Sequence, residues 1–487
     1  MTLPPLPDRG LPADEILSAL AQLRAMDLDY TKATSYHFES GNEELHDVAT
    51  AAAATAWGRN GLDPTAFPSI SAIENDLVGA ALNLHGGGPE AVGTVTSGGT
   101  ESCMLAVLGA RERYRKRGGE GRPQMLLPVT GHSAFRKGAW LFDVDIVDIP
   151  VGADFKADAG AMIEAMSDRT VLAVVSAPSY AHGVIDPVRE VAAAAAERDI
   201  LCHLDLCIGG WALPFILEDE GREPVDMSIP GITSASMDLH KYGYAPKGVS
   251  ILLSANPELR SYHYFADAAW PGYPLINNTL LSSRSVAPAA AAWAVLHLLG
   301  KQGLRELALK SRAGALRIAE GVEQIPGLRV VVAPEASLVC AGDTGAPEGP
   351  DVRIVSDEAH RLGWSLQVQP ARLGGPTTIH LTVAAGVADR ADELLEVLRE
   401  ATAAATGKGR ADPDPQLAAI AASIDVDALD PATIDGLMQV AGFKGQGGPV
   451  ELPEEMAGVN ALLEASPAPL VEVLLKAVFA EVFTPNR

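Results

Sequence analysis

The sequence predicts an α/β fold built on a mainly parallel sheet, followed by a smaller α+β domain. Three observations predict it. Seven short β-branched or apolar runs lie between residues 93 and 254 and alternate with helical stretches, the pattern of repeated strand–helix units. Most of these runs are apolar without polar alternation, as expected of strands covered on both faces. Residues able to do chemistry fall just after several runs, at the carboxyl ends where open parallel sheets bind ligands.

Residues 1–60 read as a helical segment, with apolar side chains at helical spacing over Ile16–Met26 and Val48–Trp57. The stretch NGLDPTAFPS, Asn60–Ser69, interrupts it, because Pro64 and Pro68 break helix. A new helix is expected from Ile70 to Leu84, opening a large domain over 61–300. The expected strands of that domain are Gly93–Thr96, Met125–Val129, Val144–Ile149, Val171–Ala177, Ile200–Asp205, Gly231–Ser236 and Val249–Ser254. A long helix, Ala287–Leu299, closes it. Residues 301–405 read helix, strand, helix, strand, helix, the small C-terminal α+β domain. The segment 406–487 reads as a linker, TGKGRADPDPQ, and then a helical extension with pieces such as Leu470–Phe483. The chain shows no internal repeat.

Of the 487 residues 47% are hydrophobic but only 5% aromatic, so Ala, Val and Leu must fill most of the core. The net charge of -25 opposes nucleic acid and anionic membranes as partners, since both are polyanions. An anionic small molecule is compatible with it, provided positive groups gather where it binds. Cys103, Cys202, Cys207 and Cys340 match no zinc spacing and read as reduced, buried thiols; no metal is expected. The N-terminal stretch lacks the basic and apolar regions of a signal peptide, and no uncharged apolar run reaches the ~18 residues of a membrane span. A cytoplasmic protein is expected.

Four features carry chemistry. SGGTES, Ser97–Ser102, follows a strand and opens a helix. Two glycines there let backbone N–H groups approach a ligand, and a helix N-terminus favours an anion; an ordinary helix start reads the same way. Asp205 ends the run ILCHLD. A buried acid needs a cationic partner, such as a protonated ring nitrogen, or backbone donors. Lys241, in MDLHKYGYAPKG, lies between two strands; such flanks predict desolvation, a lowered pKa and imine chemistry, against a surface-loop lysine. His132 follows MLLPV, where an imidazole can lie on an aromatic ring or serve structure alone. Together and in this order they supply what a pyridoxal 5'-phosphate (PLP) site needs.

On these motifs the chain resembles the group II PLP-dependent decarboxylase superfamily, of aspartate-aminotransferase fold (fold type I), and within it the sphingosine-1-phosphate lyases. The resemblance rests on SGGTES at 97, HSAFRKGA at 132, SAPSYAHGVIDPV at 176, HLDLCIGGW at 203, SMDLHKYGYAPKG at 236, GWSLQVQ at 363 and IHLT at 379. It implies a seven-stranded sheet and Lys241 as the imine-forming lysine. Asp205 would pair with the ring nitrogen, and His132 would stack on the ring. Gly99, Thr100 and His240 would hold the cofactor phosphate, with His203 close to the ring. Tyr180 and Lys247 would face the substrate, and Tyr36 would reach a substrate phosphate.

Lys241, Tyr180 and His132 are the catalytic candidates that follow. The implied reaction is retro-aldol cleavage of a phosphorylated amino alcohol, with amino-acid decarboxylation as the alternative. A homodimer is implied too. The chain departs from the family at Asp63, where a histidine is usual, and at RSVAP, which begins at Arg284, where Arg-Pro-Gly is usual. The membrane-anchoring helix of eukaryotic members is not seen, and the tail after 406 matches no recognised part of the family.

Overall fold

Each of the seven apolar runs supplies one strand of a single sheet in the computed structural model, which describes residues 6–25, 27–413, 415–440 and 453–484. The chain enters through α1 (Ala13–Arg24), α2 (Glu43–Thr55) and α3 (Pro68–Leu84). The expected helix over Ile16–Met26 is α1; Met26 lies outside the described residues. Pro68 sits in the first turn of α3, where its missing N–H costs nothing.

Then follow β1 (Val92–Thr96), α4 (Gly99–Lys116), β2 (Gln124–Pro128), α5 (Ser133–Phe142), β3 (Asp145–Ile149), α6 (Ala159–Glu164) and β4 (Thr170–Ser176). They are succeeded by α7 (Val188–Glu197), β5 (Leu201–Asp205), α8 (Leu213–Asp219), β6 (Ile232–Asp238) and β7 (Ser250–Ser254). The strand order is β1-β7-β6-β5-β4-β2-β3. Only β7 runs against its neighbours. Hence the carboxyl ends of β1, β2, β4, β5 and β6 share one edge with the amino end of β7. At the sheet centre every residue of β4 is buried, which explains the unbroken apolar run VLAVV.

Beyond the sheet come α9 (Pro257–Ser261) and a hairpin of β8 (Phe265–Asp267) and β9 (Leu275–Asn277). Next is α10 (Ala287–Glu323), broken at Gly300, whose φ of 58° and ψ of -176° only glycine takes readily. The break stands where Ala287–Leu299 was expected to end. The small domain holds β10 (Leu328–Val330), β11 (Leu338–Asp343), α11 (Val352–Arg361), β12 (Gln367–Gln369), β13 (Thr378–Thr382), α12 (Ala385–Asp389) and α13 (Ala391–Ala405). It has four antiparallel strands, ordered β10-β11-β13-β12, where two were expected. Two of the four, β10 and β12, span three residues each, too short to show a period of two in sequence.

The extension forms α14 (Pro415–Ser423), α15 (Pro431–Val440), α16 (Ala457–Ala465) and α17 (Ala468–Val482); residues 441–452 of the expected extension lie outside the described residues. It is tied to α11 by charge. Arg353, 7% exposed, bonds Asp351 at 2.9 Å and Glu464 at 2.7 Å, and Asp357 accepts the backbone N–H groups of Met456 and Ala457. Among the described residues no helix is long and apolar enough to cross a membrane.

Candidate active site

The shared sheet edge gathers the candidate residues. A cavity of about 430 Å³ opens there, lined by Ser97, Gly98, Gly99 and Thr100 before and at the start of α4, His132 at the start of α5, and Asp238, His240, Lys241 and Lys247 around the β6–β7 connection. Lys247 reaches this edge because β7 is antiparallel and its start faces the cavity.

Gly98 has φ 154° and ψ 168°, a backbone that favours glycine, and it caps α4. The first-turn N–H groups of α4 have no acceptor within the helix and point toward an anion site. Gly99 is required by contact: a Cβ there would stand 2.6 Å from both carboxylate oxygens of Asp238 and 2.9 Å from Cys207 Sγ. Below the loop, the Glu101 carboxylate accepts from Ser97 N, Ser97 Oγ and Leu280 N, which fixes the loop's shape.

Lys241 follows β6 in a tight turn, its side chain 19% exposed, with Nζ 2.9 Å from Asp238 Oδ2. Burial alone would lower its pKa, but Asp238, assisted by Asp205, outweighs burial and holds the ammonium form above the ordinary lysine value. The expectation of a lowered pKa is therefore corrected. Its cause was invisible without the fold, because the turn after β6 brings the carboxylate three residues upstream onto the amine. Asp238 is charged for the same reason, held below the usual carboxylate range by Lys241 and His240 against the effect of burial.

Asp205 ends β5 and is buried, accepting from Cys207 N at 3.0 Å and from Ser236 Oγ at 3.3 Å. His203, two residues earlier, lies on the same face of β5 and behind the acid rather than in the cavity. Its Nδ1 is 2.8 Å from Ser234 Oγ and its Nε2 3.0 Å from Ser236 Oγ. Ser236 donates its only proton to Asp205, so His203 must donate from Nε2. The result is a chain His203–Ser236–Asp205 that steadies the carboxylate. Burial drives the His203 pKa down to about 4, so the ring is neutral. The expectation that His203 lies at the ring becomes a supporting place behind Asp205.

His132 caps α5, its Nδ1 accepting from Ala134 N at 3.1 Å, which leaves the ring face open to the cavity. Burial lowers its pKa. His240 Nε2 is 3.5 Å from Asp238 Oδ2, its Nδ1 accepts from Val249 N, and burial takes its pKa to about 4. Lys247 donates to the His240 carbonyl at 3.1 Å and lies over the Phe38 ring; burial first, then Lys241, brings its pKa down to about 8.

Tyr180, in the loop after β4, donates its hydroxyl to Gln367 Oε1 at 2.6 Å and stacks on His380 at 4.2 Å. Burial raises its pKa to about 12. Tyr36 is close enough to act on Tyr180 electrostatically, yet it is 73% exposed and does not line the cavity. Its φ of 66° is strained for tyrosine, and the bonds of Thr34 to Ser365 and Thr382 pin that segment to the small domain.

The sequence motifs contained Asp238, Ser236, Gln367 and His380 without assigning them a task. Only Asp238 carried a usable signal, an acid three residues before the lysine at a strand end. The four cysteines are buried and free. Cys103 and Cys207 approach Asp205 within 4.8 Å, but burial raises the Cys103 thiol pKa, and the hydrogen bond with Cys103, then burial, raises that of Cys207. The departure residues are structural here. Asp63 caps its own turn at Thr65 and Ala66, and Arg284 pairs with Glu74 in a separate cavity of about 260 Å³.

Residues 6–341 match the family model of the pyridoxal-dependent decarboxylase conserved domain, and residues 415–481 match one described as a pyridoxal-dependent enzyme C-terminal putative HTH domain. The chain is 35% identical over 348 residues to a sphingosine-1-phosphate lyase of Arabidopsis thaliana, covering 70% of this chain and 62% of the relative. It is 36% identical over 343 residues to that of Dictyostelium discoideum, covering 70% and 63%. It is 31% identical over 451 residues to sphingosine-1-phosphate lyase 1 of Rattus norvegicus, covering 88% and 78%. The chain thus spans a little under two thirds of the length of the first two relatives. A solved sphingosine-1-phosphate lyase of Burkholderia pseudomallei superposes with a TM-score of 0.77 at 31% identity, over 83% of this chain and 93% of that one. A glutamate decarboxylase of Lactobacillus brevis reaches a TM-score of 0.74 over 83% of this chain and 95% of that one, but at 18% identity it speaks for the fold alone.

Proposed function

The chain belongs to the pyridoxal-dependent decarboxylase family, and from that membership we propose that it cleaves a carbon–carbon bond of a phosphorylated amino alcohol, of the sphingosine 1-phosphate kind, to an aldehyde and phosphoethanolamine. Its cofactor is pyridoxal 5'-phosphate. The observation that carries the reading is the convergence of Lys241 with the α4 N-terminus and Asp205, together with the cation Lys247 at the same cavity. The glycine cradle fits a phosphate: position 99 tolerates no side chain, and the backbone donors beside it lack partners in the helix.

When bound, the cofactor supplies an aldehyde that captures an amine and a ring that draws off the electron pair of the bond being broken. The rest falls to this chain. Lys241 would hold the cofactor. Asp205, steadied by Ser236 and His203, would keep the ring nitrogen protonated, and His132 would offer its open face to the ring. Gly99, Thr100 and His240 would hold the cofactor phosphate. Lys247 and Tyr36 would bind the substrate phosphate, each charge-assisted bond contributing about 1.5–3 kcal/mol. Tyr180 and Lys241 would move the protons, one from the substrate hydroxyl and one to the carbon left behind.

The large domain would span 61–300 and the small one 301–405, with 406–487 as an appended unit. We also infer a cytoplasmic homodimer that acts on a small molecule. The β8–β9 hairpin and the segment after it expose Phe265, Trp270, Tyr273, Ile276, Leu280 and Leu281, a surface suited to a second copy. Light scattering of the purified protein tests the dimer.

The activity is tested by incubating the yellow, PLP-loaded protein with a phosphorylated sphingoid base, and separately with an amino-acid panel. Aldehyde and phosphoethanolamine from the first incubation support the reading. Carbon dioxide from the second, with no aldehyde from the first, replaces it with amino-acid decarboxylation.

A further inference from the structure

Asp238 is the group that Lys241 touches. It ends β6, is 2% exposed, and lies 2.9 Å from Lys241 Nζ. Gly99 closes over the same carboxylate, so a methyl group there would collide with both oxygens at 2.6 Å. The carboxylate is clamped between the start of α4 and the lysine. We propose that Asp238 is a positioning residue that holds the free Lys241 as an ammonium ion and takes its proton when Nζ bonds to the cofactor's carbonyl carbon. This rests on Lys241 being the cofactor lysine.

The step balances. An ammonium nitrogen has no lone pair with which to attack. Transfer of one proton to Asp238 Oδ2 frees the pair, Nζ bonds to the carbonyl carbon, and one water leaves as the C=N bond forms. No atom changes oxidation state. When a substrate amine later displaces the lysine, the same carboxylate receives the returning ammonium ion and keeps it beside the cavity.

The groups around Lys241 explain why Asp238 controls it. On its own turn Lys241 faces Asp238 and His240. Asp205 and Cys207 face it from β5 and the loop that follows, Lys247 from the segment before β7, and His132 and Tyr180 from the ends of β2 and β4. His240 and Tyr180 are neutral at ordinary pH, with pKa values near 4 and near 12, and the hydrogen bond with Cys103, then burial, keeps the Cys207 thiol protonated. That leaves two carboxylates against the second cation, Lys247. Of the two, only Asp238 is in contact with Nζ.

The test strips the cofactor and pulses the full chain with an amine-acylating reagent over a range of pH. Labelling of the Lys241 peptide is read by mass spectrometry against that of the exposed Lys301. In the wild type, half-maximal labelling of Lys241 is expected at higher pH than for Lys301. In Asp238→Asn it moves down by at least one unit, so that labelling below the midpoint rises about tenfold. The rate at which the yellow band forms on adding PLP is expected to shift with the same midpoint. Identical midpoints in the two proteins overturn the proposal. Should the variant fail to fold, the wild-type profile decides alone, and a Lys241 midpoint at or below that of Lys301 refutes it. A chain that labels as expected but never turns yellow refutes the assignment of Lys241 to the cofactor and leaves the ion pair standing.

Discussion

A methyl group at position 99 has no room. The Gly99→Ala side chain would stand 2.6 Å from both Asp238 oxygens, where ordinary contact begins at 3.4 Å, so the start of α4 and the acid must separate by about 0.8 Å. Asp238 cannot retreat without stretching its 2.9 Å bond to Lys241, and Cys207 Sγ, 2.9 Å from the same methyl, blocks the other side. The strain of such overpacking costs about 1–3 kcal/mol of stability. The larger effect falls on the anion site, since the backbone donors of Gly98–Thr100 move with the helix. Loss of one charge-assisted bond to a phosphate, about 1.5–3 kcal/mol, weakens PLP binding roughly 10- to 150-fold. Absorbance titration of the cofactor-free protein with PLP measures this directly. A variant that folds and binds within threefold of the wild type would show that the phosphate does not lie on this loop.

Other perturbations follow from the same geometry. Lys247 carries its charge below about pH 8 and loses it above. Turnover of a phosphorylated substrate, read as kcat/KM, should therefore fall as pH rises through that value, and Lys247→Gln should lower it about 10- to 150-fold at neutral pH and abolish that limb. Tyr180→Phe removes the hydroxyl bonded to Gln367; kcat should drop about 10²- to 10⁴-fold while the yellow band persists. Arg353→Ala leaves Asp351 and Glu464 without their shared partner, a loss of about 3–5 kcal/mol, seen as faster proteolysis of α16 and α17. The extension matched by the putative HTH model has Lys444 and Lys476 as its basic residues against Asp425, Asp427, Asp430, Asp435, Glu451, Glu454, Glu455, Glu464, Glu472 and Glu481. Without a basic face it should not shift DNA in a gel at moderate salt.

The parts of the fold readable from sequence were the runs of β-branched and apolar residues long enough to stand out from their flanks. All seven runs of the large sheet became strands, and the inner ones, β4 above all, are covered on both faces and so are apolar along their length. The small domain read as two strands and has four, since strands as short as β10 and β12, three residues each, cannot display a period. Within the site, Lys241, Gly99, Thr100, His132 and Asp205 were legible because each follows or ends a strand, and the shared edge of the sheet turns that sequence position into proximity. Gln367 and His380 were not, for they come from the small domain. They meet Tyr180 only because that domain folds back onto the large one, Gln367 across a gap of 187 residues.

The charge state of Lys241 marks a deeper boundary. Local sequence announced burial, and burial alone lowers a lysine pKa. The sign reverses because an acid of the same segment is folded against the amine at 2.9 Å, where an ion pair in a dry pocket outweighs the loss of water. Sequence position places both groups within one turn, but only the turn's geometry, and the bare Cα of Gly99 that confines the carboxylate, decides that they touch. A pKa read from neighbouring residue types reports the environment of a segment. The charge state of Lys241 depends on a single contact inside it.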